Sequence, residues 1–72
     1  MPDLTAVIAK IQELRDQAAH EMFRAKHAER ASREAGDGQW EDYYRSEAWA
    51  WGARQDAYFT ALELLKEVDG GA

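Results

Sequence analysis

The chain is predicted to be all-α, an antiparallel two-helix hairpin completed as a four-helix bundle by dimerisation. Three observations carry this reading. Four of the five glycines and the single proline sit at segment ends, leaving two long uninterrupted windows. Both windows are amphipathic with a helical period. When the chain is folded between them, large residues on one face small residues on the other.

The first helix is expected over about residues 3 to 35, capped by Asp3 or Thr5. Its apolar face runs Leu4, Val7, Ile11, Leu14, Ala18, Glu21, Ala25, Ala28, Ser32 and Ala35, the 3-4 step of a heptad seam. Glu21 alone breaks it. Gly36 is placed to adopt the left-handed conformation that ends a helix, and the turn is expected over 36–39.

The second helix is expected over about 38 to 69, started by Asp37 or Gly38, with Glu41 and Asp42 in its first turn. Tyr44, Trp51, Tyr58 and Leu65 recur every seven residues, with Ala48, Gln55 and Leu62 complementary and Trp40 leading in. Residues 70–72 are read as a flexible tail, so residues 1–72 form one hairpin domain. Each helix should be roughly 45 to 50 Å long at 1.5 Å per residue.

Folding at Asp37-Gly38 sets opposite each other residues whose numbers sum to about 75. Val7 then meets Val68, Ile11 meets Leu64 and Leu65, and Leu14 meets Leu62. Further along, Ala18 meets Tyr58, Ala25 meets Trp51 and Ser32 meets Tyr44. This complementarity of size is what dense cores require. Glu21 falls opposite Arg54, and the two are expected to pair across the seam.

Phe23 and Trp49 lie away from the seam on their helices, and Phe59 is about a quarter turn off it. Three outward aromatics on so small a chain call for a second buried surface. Gly52, costly inside a helix, would open a shallow groove beside Ala48, Asp56 and Phe59 where a partner approaches closely. Phe23, Trp49, Gly52 and Phe59 are therefore the expected interface. At 72 residues and with no cysteine, the chain has neither a large core nor disulfides to reinforce it. A homo-oligomer, simplest as a dimer, supplies the reinforcement.

The charge balance bears on partners. Residues 1 to 35 carry six cations and six acids, whereas residues 36 to 72 carry three cations against eight acids, which accounts for the net −5. A surface in acidic surplus disfavours nucleic acid as a partner. The alternative reading, a nucleic-acid-associated accessory protein, would use the basic flank Arg24 to Arg33, where Lys26 and Arg30 also lie, beside Trp40, Tyr43 and Tyr44. Glu29 interrupts that flank, and the aromatics fit the seam.

Metal and catalytic readings are weaker. Glu13, His20, His27 and Glu34 are seven residues apart in sequence, roughly 10 Å along a helix, too far to share an ion. A ferritin-like metal bundle would need Glu three residues before each histidine, but Gln17 and Arg24 stand there. Ser32 and Ser46 lack the context of a nucleophile, and Gly36-Asp37-Gly38 is too short for a phosphate loop. The chain is read as non-enzymatic, with no cofactor. With 46% hydrophobic and 32% charged residues and a mean hydropathy of −0.70, it suits amphipathic helices, and no stretch approaches a membrane span. A cytoplasmic location with no membrane partner is expected.

Its Ala- and Arg-rich usage, and the run Tyr43-Tyr44-Arg45 leading to Trp51-Gly52-Ala53-Arg54-Gln55-Asp56-Ala57-Tyr58 and Ala61-Leu62-Glu63-Leu64-Leu65, resembles small helical accessory proteins of high-GC actinobacteria and their phages. The resemblance covers about the second half of the chain and implies action by binding another protein. The secreted WxG hairpin family differs in carrying its Trp-x-Gly in the turn, where this chain has Gly36-Asp37-Gly38-Gln39.

Overall fold

The computed structural model describes residues 3–70, which form two helices, α1 (Leu4–Glu34) and α2 (Gly38–Gly70), packed side by side as a hairpin. Gly70 is the last residue of α2, and the rest of the expected tail, 71–72, lies outside the described residues.

Local chemistry explains where the helices begin and end. Asp3 is extended, and its carboxylate accepts a hydrogen bond from the Thr5 amide at 3.3 Å, so Asp3 is the cap of α1. At the other end Gly36 takes φ +75°, a conformation that a Cβ would strain. Its amide donates to the Arg33 carbonyl at 3.1 Å, and the Asp37 amide donates to the Ser32 carbonyl at 2.9 Å. These two bonds are a Schellman motif. Asp37 then opens α2: its carboxylate accepts from the Trp40 amide at 3.3 Å and its carbonyl from the Glu41 amide at 3.0 Å. One residue closes the first helix and caps the second, which makes the reversal tight.

The seam of α1 follows the predicted face. Ala18 and Ala25 are buried, and Leu4, Val7, Ile11, Leu14, Glu21, Ala28 and Ser32 are half-buried; Ala35, next to the turn, is exposed. On α2 the row Ala48, Gln55, Leu62 is central, and Tyr44, Trp51, Tyr58 and Leu65 flank it half-buried. Two alanines against this row let the helices come close. Leu62 is the one large side chain fully buried among the described residues.

The packing departs from expectation in several places. Leu64 and Val68 are 58% and 69% exposed, so the layers Val7 with Val68 and Ile11 with Leu64 do not form part of the core. Both residues sit on the outer side of the row that Leu62 and Leu65 continue, where helical rotation carries them from α1. Trp40 also remains exposed: it packs on its own helix, with ring centroids 5.4 Å from Tyr43 and 5.8 Å from Tyr44. The register shows in Arg33 with Glu41, Glu29 with Arg45, and Met22 beside Gly52. The residue numbers in each of these pairs sum to 74, one less than predicted.

Ala25 and Trp51 border the same cleft between the helices. Replacing Ala25 by Leu should overpack it and lower stability by roughly 1 to 3 kcal/mol. Leu at Ala9, on the exposed side of α1, should leave the denaturation midpoint almost unchanged. Equal shifts in the two denaturant curves would overturn the register.

The hairpin is long and thin, 55 × 16 × 15 Å, with a radius of gyration of 16.3 Å where a compact chain of this length has about 11 Å. It exposes 5487 Å², against about 4,500 Å² for a compact monomer of its mass. The excess is close to the roughly 800 Å² that each partner contributes to an ordinary protein interface.

Candidate interaction face

α2 runs antiparallel to α1, so a quarter turn past the seam on either helix leads to the same flank of the hairpin. On that flank Met22 and Lys26 of α1 meet Trp49, Gly52 and Asp56 of α2 in a shallow open groove. Trp49 is 77% exposed. Phe59, one heptad beyond Gly52 on the same side of α2, is 53% exposed.

Phe23 is 61% exposed on the outer side of α1, with its ring against His27 at a centroid distance of 5.0 Å. Lys26 borders both the Phe23 cleft and the Trp49 groove. Phe23 therefore adjoins the flank that carries Trp49, a relation that the sequence left open.

Gly52 borders the expected groove and also has a close neighbour in its own hairpin. A Cβ on Gly52 would lie 3.2 Å from the Met22 sulfur, so the glycine admits a side chain of its own hairpin. The groove beside it stays open towards Trp49 and Asp56, and a partner would meet the Met22 thioether there, a soft and adaptable contact.

The expected Glu21–Arg54 pair is absent among the described residues. Glu21 lies 3.6 Å from Arg24, one helical turn along α1, and the Arg54 guanidinium lies 4.6 Å from the centroid of the Trp51 ring, in cation–π geometry. Each group finds a neighbour on its own helix, which removes the reason to cross the seam.

A polar lock near the turn was not anticipated. Arg33 reaches Glu41 at 2.7 Å and Glu29 at 3.0 Å, while Arg45 reaches Glu41 at 3.0 Å and Glu29 at 3.5 Å. The four side chains form a closed ring of alternating charge that ties the two helices together. Its signal in the sequence is two i,i+4 pairs, Glu29 with Arg33 and Glu41 with Arg45, brought opposite each other by the register.

The hydrogen bond from Arg33 holds the Glu41 carboxyl below its ordinary value, and the charges of Arg33 and Arg45 act in the same direction. The same hydrogen bond, with the charge of Glu41, raises Arg33. A carboxylate that binds its proton less readily when folded contributes stability above its unfolded value, and this is lost as pH falls through the lower folded value. The Arg33 contribution is lost only at pH above the arginine range. Glu41→Gln should therefore unfold more readily than wild type at neutral pH, and the two should converge in acid. A gap in denaturation midpoint that persists below the folded Glu41 value would show that the ring does not carry the effect.

The ring also draws on the basic flank. Arg24 and Arg33 both lie in ion pairs with acids, which weakens the case for a phosphate-binding surface. Among the described residues no three His, Asp or Glu side chains converge as a metal site would require, and no helix is long and apolar enough to cross a membrane. Compared with known proteins, the chain matches no protein family, no curated protein and no solved structure.

Proposed function

We propose that this chain is a non-enzymatic assembly module that self-associates through the flank bearing Trp49, Gly52 and Phe59, with Phe23 at its edge. The same face is where another protein would compete. The observation that carries the reading is the mismatch between the two sides of the hairpin. Among the described residues only Ala18, Ala25, Ala48 and Leu62 are buried between the helices, while the largest aromatic side chain of the outer flank, Trp49, is 77% exposed. Aromatic side chains dominate the energetics of small interfaces, and a second copy is the simplest cover for this one.

Sedimentation equilibrium from 1 to 100 μM, a range on the order of common dimer constants, tests the proposal. A dimer or larger species is expected, and a monomer throughout would refute self-association. A gel shift at low and moderate salt addresses the nucleic-acid alternative, since phosphate-driven binding must weaken steeply with salt.

A further inference from the structure

The flank that carries Trp49 has two edges of opposite charge. On α1 the outermost row of the flank holds Lys26 and Arg33, seven residues apart; on α2 the corresponding row is Asp42, Trp49, Asp56 and Glu63, while Glu29 and Arg45, which also border the groove, neutralise each other in the ring at the turn. Arg33 and Asp42 are engaged within the hairpin, Arg33 in the ring at the turn and Asp42 with Arg45 at 3.3 Å. Lys26, Asp56 and Glu63 have no ion-pair partner among the described residues. Two copies laid flank to flank can be related by a twofold axis in two ways. With the axis along the helices, the turns lie at the same end and α1 of each copy covers α2 of the other. With the axis across the helices, the turns lie at opposite ends, α1 covers α1 and α2 covers α2. The first brings the cationic edge onto the acidic edge twice. The second sets acid against acid and cation against cation, which like-charge repulsion disfavours.

Resting on the self-association proposed above, we infer that two copies pair with their turns at the same end, the Trp49 edge of each lying on the Lys26 edge of the other. The levels agree with this. Trp49 stands level with residue 25 of its own α1 in the observed register, so in this arrangement it meets the partner's Lys26 within about one residue rise of 1.5 Å. An indole under an ammonium group is a favourable contact, and the symmetry makes it twice. Asp56 and Glu63 continue the acidic edge towards the open end of the hairpin, where the partner's Arg15, paired with the adjacent Asp16 at 3.3 Å within each hairpin, lies on the facing helix.

The chain has no cysteine, so one introduced cysteine reports cleanly on the arrangement. A side chain at Gly38, in the turn, would meet nothing within 4 Å. Gly38→Cys carrying a nitroxide should give an inter-label distance under about 30 Å by pulsed electron resonance, because neighbouring helices pack 8 to 10 Å apart. Turns at opposite ends would put the labels about 45 Å apart, the length of α1. Sedimentation of the same labelled sample separates the two failures: a monomer overturns self-association and this inference with it, whereas a dimer with the long distance overturns the orientation alone. Lys26→Glu gives a second reading. It sets acid against acid in the inferred dimer and should raise the dissociation constant about tenfold. A constant that is unchanged or lower would contradict the arrangement, since with α1 on α1 the substitution relieves repulsion.

Discussion

Leu62→Ala should lower the unfolding free energy by about 2 to 5 kcal/mol, the range for emptying a buried leucine site whose surroundings cannot fully collapse. Leu62 is 1% exposed and is the one large side chain fully buried among the described residues, so its truncation leaves a space that the two helices would have to shift to fill. Leu64, two residues on, has the same chemistry on the outer side of α2, and Leu64→Ala should change stability by less than about 0.5 kcal/mol. Urea unfolding of both variants at one protein concentration makes the comparison. Similar losses at the two sites would mean that the core does not lie along the row of Ala48, Gln55 and Leu62.

Trp49→Ala should raise the dimer dissociation constant by about thirtyfold or more, equivalent to the roughly 2 kcal/mol that marks an interface anchor. Trp49 touches the core of its own hairpin little, being 77% exposed, so the loss should fall on association rather than on the helices. The far-ultraviolet spectrum of the variant, taken at a concentration high enough to populate the dimer, should match wild type. A variant that associates as tightly as wild type would move the interface away from this flank.

The hairpin was legible in the sequence because its determinants are local. Gly36 and Asp37 specify the reversal through one left-handed residue and one capping carboxylate, and the heptad step specifies which face each helix buries. Apolar character alone misleads: Leu64 is two residues, about 200° of helical rotation, from the buried Leu62, and Val68 lies past Leu65 on the outer side, so both are exposed although matching by residue number pairs them with α1.

The polar features show the same division. Glu21 and Arg54 lie within one residue of the same level, but the nearer partners Arg24 and Trp51 on their own helices claim them. Arg33, Glu29, Glu41 and Arg45 make the cross-helix ring because each helix offers its opposite charges at i,i+4, and the tight turn fixes their level. Gly52 borders the open groove that its place beside Ala48 and Asp56 implies, and the closeness of Met22 to it is visible only in the structure. The outer aromatics were recognisable as surplus from helical position alone. That Phe23 adjoins the Trp49 flank required the structure, because Lys26 is the link between them.

The most direct test of the account is the denaturation midpoint of the unmodified chain as a function of its own concentration. A module whose second surface is covered by another copy is stabilised by mass action, so the midpoint should climb steadily as protein is raised across roughly two orders of magnitude. A midpoint independent of concentration over that range would show that the lone hairpin is the folded unit and that the Trp49 flank does not bind a second copy.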